Sequence, residues 1–191
     1  NLLLQEVDRV HADGRRCRSR LVVDGVVTAT RAGGAQEGRD DAVAKSFASG
    51  YRHIRLQYGE GGYGGGGFIP ANQGNRAEGG YQGQAFDEDL YVETIPPVFE
   101  YVRSKVGYEP KLIHDVHSHL SGANAMLFAK KMEPIHMFFV EDLLAPEQVG
   151  WYREVRQICA TPQAVGELFT NQAEYYPLIA ERLINFIRTR V

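Results

Sequence analysis

Apolar and polar residues along this 191-residue chain follow two alternating periods. Short β-rich or continuously apolar runs fall at residues 26–30, 51–58, 112–115, 135–141, 162–167 and 184–188, and read as strands. Between them, residues 40–49, 87–106, 121–132, 146–159 and 172–183 carry apolar positions at helical spacing. Gly50 and Gly107 stand where helices should stop, and Ser121 where one should be capped. Pro146 opens the fourth helix at its first turn, with Glu147 well placed against the helix dipole. In the second helix the stripe Leu90, Val92, Ile95, Phe99, Tyr101, Val102 and Val106 contains Pro96-Pro97, which predicts a kink or a later start. Strand–helix alternation implies βαβ units and a parallel sheet. A closed (β/α)₈ barrel typically takes about 250 residues. The expected fold class is therefore α/β: a TIM-type (β/α) barrel of about six βα units, apparently incomplete.

Within that frame, residues 1–20 read as an N-terminal connector, charged and mixed, and residues 21–191 as the partial barrel domain. Asp24-Gly25 either turns a hairpin inside residues 21–30 or leads into the first strand. Along residues 51–58, His53, Arg55 and Gln57 share one face, and Ile54 and Leu56 the other. Both faces of a covered parallel sheet are occluded, which aims Arg55 into a site rather than into solvent. Residues 59–84 interrupt the pattern, since seven of the nine residues from Gly59 to Gly67 are glycine. They read either as an active-site loop carrying Tyr63 or as an insertion without chemistry. The Gly-Lys-Ser/Thr ending of a phosphate-binding P-loop is missing.

Composition narrows the function classes. A net charge of −3 gives no basic footprint for nucleic acid, and no apolar run approaches the length of a membrane span. Cys17 and Cys159 are too few for a disulfide framework or a thiolate metal site, so a cytoplasmic setting is expected.

The chemistry lies at three strand ends. Asp115, Glu141 and Glu167 are spaced 26 residues apart and then 26 again, one βα unit each time. Equivalent ends of consecutive parallel strands meet on one face, and three converging carboxylates repel unless a cation sits among them. Oxygen ligands without cysteine favour Mg²⁺. Asp142 reads as a helix cap or solvated loop charge. His117, two residues beyond Asp115, is a candidate proton donor or acceptor beside the metal, whereas His114 points away as a core histidine. His114, His117 and His119 as zinc ligands of a hydrolase form a second reading, which leaves the glutamates without a task. Mg²⁺ on a substrate carboxylate would stabilise the enediolate formed by loss of the neighbouring proton. Tyr63, its pKa lowered by Arg55, could take that proton, and His117 could assist departure of a β-hydroxyl as water.

His114-Asp115-Val116-His117, Phe138-Phe139-Val140-Glu141-Asp142 followed by Ala145-Pro146-Glu147, and Thr161 through Glu167 together resemble the enolase superfamily, mandelate racemase branch, and within it the D-mannonate dehydratase subgroup. The resemblance implies Asp115, Glu141 and Glu167 as Mg²⁺ ligands, Arg55 with a loop tyrosine as the basic dyad, and His117 as the acid. It implies a lyase acting on a small-molecule sugar acid, D-mannonate or D-gluconate, with homo-oligomers expected. Arg55-Leu56-Gln57 lacks the Lys-x-Lys of related branches, in keeping with the dehydratase subgroup. Arg31 stands where the subgroup often has histidine, and His119 where arginine is more usual. The family also has an amino-terminal capping domain and two more strands, so a longer parent protein is expected. A relative that binds metal and sugar acid without turnover is the non-enzymatic alternative.

Overall fold

Each parallel strand adds to the same side of its predecessor. The computed structural model describes residues 7–10, 16–19, 26–29, 39–58, 68–69 and 85–188. Its elements run β1 (Val7–Val10), β2 (Arg16–Ser19), β3 (Val26–Ala29), α1 (Arg39–Ala48), β4 (His53–Tyr58), β5 (Phe68–Ile69), β6 (Ala85–Phe86), α2 (Glu88–Val106), β7 (Lys111–Asp115), α3 (Gly122–Met132), β8 (Phe139–Glu141), α4 (Val149–Ile158), β9 (Gln163–Val165), α5 (Gln172–Ala180) and β10 (Phe186–Arg188). Strands β3, β4, β7, β8, β9 and β10 pair in parallel, in that order. The order never reverses, which distinguishes barrel-type winding from a doubly wound sheet with a switch point. Successive helices α1 to α5 pack on one another along one face. The small β5–β6 pair stands apart.

Several expectations change; α4, for one, starts at Val149 with Gln148 at its N-cap, so Pro146 and Glu147 precede the helix instead of opening its first turn. Within residues 1–20, read as a connector, β1 and β2 form an antiparallel hairpin, and β1 lies antiparallel on β10. The charge of Arg16 and Arg18 suits a strand at the sheet margin. The strand read over 135–141 is only Phe139–Glu141; a 3₁₀ turn, Glu133–Ile135, precedes it, because Pro134 lacks a ladder donor. In α2 the helix runs through Pro96 and Pro97 from Glu88, capped by Asp87, whose carboxylate accepts the Leu90 N–H at 2.9 Å. Its buried stripe includes Tyr91, while Leu90 is 43% exposed. Ser121 stands at the N-cap of α3 but makes no capping bond with its side chain. Its N–H donates instead to Glu88 Oε2 at 2.7 Å. Asp24-Gly25 lies outside the described residues.

Period-two alternation sorts the strand side chains into two cores. Ile54, Leu56, Leu112, Val140 and Val165 face the helices with Tyr91, Phe99 and Phe128. Ile113, Phe139, Ala164 and Phe186 form a small cluster on the opposite, inner face. Above that apolar floor, nearer the carboxyl ends, the inner positions turn polar. At the opposite ends Arg103, buried without a carboxylate, acts as a staple. Its Nε donates to Ile135 O at 3.0 Å, Nη1 to Gly107 O and Pro110 O at 3.0 and 2.8 Å, and Nη2 to His136 O at 3.0 Å. One guanidinium thus ties the end of α2 to the entry of β7 and the turn before β8.

Removing it leaves those carbonyls short of donors in a buried place. Arg103→Ala is expected to destabilise the intact protein by about 3 kcal/mol in urea unfolding, with Arg103→Lys recovering only part of the loss.

Candidate active site

Five of the six residues singled out in the sequence gather at the carboxyl ends of the strands: Arg55 on β4, Asp115 on β7, Glu141 on β8, Glu167 just after β9, and His117 just after β7. The sixth, Tyr63, lies outside the described residues, as does Arg31. Asp115 and Glu141 are register partners on adjacent strands. Asp115, Glu141 and Glu167 each present a carboxylate oxygen within 4.8 Å of the other two.

Local geometry explains the convergence. Gln57 clamps the end of β7 with both amide atoms: Nε2 donates to Asp115 O at 2.9 Å and Oε1 accepts the Asp115 N–H at 3.0 Å. Arg55 Nη2 donates to Asp115 Oδ2, and the His117 N–H donates to Asp115 Oδ1 at 2.8 Å. The chain turns sharply at His117, which has φ of +56°, bringing its Nδ1 to 3.6 Å from Asp115 Oδ2. His117 therefore reaches the site through a left-handed turn rather than by extended parity. Glu167 follows Gly166, whose φ is +153°. A Cβ on Gly166 would lie 2.4 Å from the carbonyl oxygen of Arg188, so only glycine fits between the tops of β9 and β10.

Two residues join that sequence reasoning left out or set aside. Arg188, at the end of β10, is buried; its Nη1 lies 2.8 Å from Glu141 Oε1 and donates to Glu167 Oε2. The signal was available: an arginine ends an apolar strand, as at Arg55. Asp142 corrects the expectation of a solvated charge. It is 1% exposed, and its carboxylate lies within 4.8 Å of ligand atoms on Asp115 and His117. Its φ of +42° ends the strand in a turn that carries the side chain inward rather than out to a cap or to solvent.

The histidines divide as expected for one and differently for another. His114 Nδ1–H donates to Leu56 O at 2.9 Å, leaving Nε2 to accept from Tyr91 OH at 2.6 Å. Burial first, and nearby Arg55 among the lesser influences, lowers its pKa to about 4, so it is a neutral core residue. His119 spends Nδ1 on Val116 O at 3.0 Å and packs its ring against Phe86. A zinc trio of His114, His117 and His119 is thus not assembled, because both nitrogens of His114 are committed on the helix side.

Electrostatics follow from four clustered carboxylates and two guanidinium groups. Burial opposes the Asp115 charge, but the His117 hydrogen bond and the Arg55 guanidinium outweigh it and hold its carboxyl below the usual range. Burial pushes Glu141 well up, against the pull of Arg55, and pushes Asp142 up to about 7, helped by the Asp115 charge. Two negative charges stay uncompensated when all four acids ionise. The Asp115 hydrogen bond raises His117, which can supply one positive charge. A divalent cation would supply two. The donor set fits one: three converging carboxylates offer hard oxygen ligands within 4.8 Å of one another, with no thiolate among them.

Known proteins share this arrangement of strands. Residues 39–191 match the family described as Enolase C-terminal domain-like. A D-galactonate dehydratase family member of Paenibacillus sp. (strain JDR-2) is 50% identical over 150 residues, covering 78% of this chain and 36% of that protein. The family member RspA of Pantoea ananatis is 35% identical over 192 residues, covering 93% and 44%. A crystal structure of an enolase from Pantoea ananatis, with bound D-gluconate and Mg, superposes with a TM-score of 0.71 at 35% identity, over 87% of this chain and 43% of that one. The 3,6-anhydro-D-galactonate cycloisomerase of Zobellia galactanivorans shares the fold at 15% identity, with a TM-score of 0.58 over 85% and 37%. The chain spans less than half the length of these relatives. With its singly wound parallel sheet and the family match over residues 39–191, this chain belongs to the enolase C-terminal domain-like family.

Proposed function

We propose that this protein is an Mg²⁺-dependent acid-sugar dehydratase, a hydro-lyase that removes water from a sugar acid. The observation that carries the proposal is the convergence of Asp115, Glu141 and Glu167 on one point, with Arg55 and His117 beside them. These three carboxylates would hold the cation. When bound there, Mg²⁺ would draw in the substrate carboxylate and stabilise the charge that develops as the neighbouring carbon loses its proton.

The chain's own groups supply the rest. The Asp115 carboxylate, 3.6 Å from His117 Nδ1, raises the imidazole pKa and favours the protonated form that can give a proton to a departing β-hydroxyl. The His117 side chain is about one-third exposed, which leaves it reachable by a substrate. The proposed basic pair is Arg55 with Tyr63, which lies outside the described residues; a guanidinium beside a phenol favours the phenolate that accepts the α-proton. Arg188 and Gln57 hold the acidic groups in register.

Within the sugar acids, the names of relatives and the gluconate in the Pantoea ananatis crystal favour D-gluconate or D-galactonate as first choices over D-mannonate. The setting that fits is the cytoplasm. Among the described residues no helix is long and apolar enough to cross a membrane, and the buried Cys159 is a free thiol.

Exchange of the α-hydrogen with solvent, followed by NMR in D₂O over a panel of D-gluconate, D-galactonate and D-mannonate, tests turnover. Mg²⁺-dependent exchange with loss of water is expected for at least one member; binding without exchange would identify a non-catalytic relative. His117→Asn should retain exchange while slowing dehydration by about 10²–10⁴-fold. Glu141→Gln should weaken Mg²⁺ binding in calorimetry beyond the roughly 10–100-fold that changes outside the ligand set cost.

A further inference from the structure

Three acids, Asp115, Glu141 and Glu167, are the proposed cation ligands; Asp142 instead falls in a second close group with Asp115 and His117. Strand alternation would send its side chain towards the helices, opposite Glu141. Instead the chain leaves β8 with φ of +42° at Asp142, and the carboxylate is buried within 4.8 Å of ligand atoms on Asp115 and His117. Neither Asp142 oxygen closes a hydrogen bond, although the Gly166 N–H approaches. A buried carboxylate so placed is costly unless it faces a cation. Arg55 is bonded to Asp115 and Arg188 to Glu141 and Glu167; Arg188 also favours the Asp142 charge, from beyond ion-pair distance. The imidazole of His117 is the remaining basic group of this cluster.

The backbone ties the same two segments together. Val116 N–H donates to Glu141 O at 2.9 Å, and Ser118 N–H to Asp142 O at 2.7 Å. His117 and Ser118 both have φ of +56°, two consecutive non-glycine residues in the left-handed region. Such strain persists where neighbours over-determine it. The far side of the Asp142 turn is fixed as well: Tyr152 OH donates to Leu144 O at 2.6 Å and accepts Leu144 N–H at 3.2 Å.

We propose that Asp142 is a positioning residue for His117, its carboxyl group orienting the imidazole ring and its carbonyl fastening the turn that carries it. This rests on the dehydratase reading, in which His117 gives the proton to the leaving hydroxyl. Asp142 touches no reacting atom; it sets the direction from which His117 delivers.

The test is Asp142→Asn in the intact protein, alone and combined with His117→Asn. Asparagine keeps the size and removes the charge. Dehydration should fall about 10–100-fold, while α-hydrogen exchange and Mg²⁺ affinity stay within about threefold of wild type. The double variant should dehydrate no more slowly than His117→Asn alone, since the two groups act as one unit. Losses that add in the double variant, an unchanged dehydration rate, or Mg²⁺ affinity falling with exchange would each overturn the proposal. A second readout needs no turnover. In ¹⁵N-correlated NMR, a solvent-protected ring N–H of His117 in wild type should vanish in Asp142→Asn; a signal unchanged by the substitution overturns the positioning role. Absence of exchange and dehydration in wild type would refute the dehydratase reading, and the ring signal would still decide for or against Asp142.

Discussion

Mutual repulsion among buried carboxylates is the constraint on which the upper half of this structure depends. Asp115, Glu141, Asp142 and Glu167 crowd the carboxyl ends of three neighbouring strands, mostly out of water. Two guanidinium groups from the flanking strands β4 and β10 meet them, Arg55 on one side and Arg188 on the other. That arrangement is two charges short of neutrality with all acids ionised; burial first, and the neighbouring Asp115 charge after it, make Glu141 and Asp142 resist ionisation. A fold built for stability alone would place apolar residues there, as it does one layer lower with Ile113, Phe139, Ala164 and Phe186. The sheet tolerates the polar layer because that floor and the helix-side core are dry and complete beneath it.

Much of this was legible from the chain. Alternation along residues 53–57 separates Arg55 and Gln57 from Ile54 and Leu56, and the structure keeps that separation. The same rule assigns Asp115 to the site and His114 to the core, where Tyr91 and Leu56 receive it. Equal spacing of Asp115, Glu141 and Glu167 encodes a repeated βα unit, and a parallel sheet converts equal spacing into proximity. Alternation fails where the backbone leaves the strand. Asp142 is carried inward by a positive φ that its sequence neighbours do not announce. Arg188 ends β10, the strand next to β9, but stands outside the equal spacing that singled out the three acids. The β1–β2 hairpin was hidden for a related reason, since charged marginal strands look like connectors. Leu90 and Tyr91 exchanged roles because a helical stripe off by one residue selects a different face.

Membership of the enolase C-terminal domain-like family accounts for the sheet, and the site residues account for the chemistry proposed on it. Fold and site are separable here, as the Zobellia cycloisomerase illustrates by sharing the sheet at 15% identity. The acidic cluster provides what any carboxylate substrate of this chemistry needs, and nothing in its geometry distinguishes one hydroxyl configuration from another.

The contact between Gly166 and Arg188 has a mechanical meaning. With no side chain between the tops of β9 and β10, backbone meets backbone, and nothing soft lies there to absorb displacement. Glu167 is the next residue after that contact, and Arg188 itself grips both Glu141 and Glu167. The last strand is thus a rigid lever on the carboxylate cluster. A shift at its foot, where Phe186 packs on Phe138 and Phe139, travels along three residues and arrives as a change in the spacing of two oxygen donors. The aromatic floor and the acidic layer above it are thus joined by one three-residue strand, Phe186–Arg188.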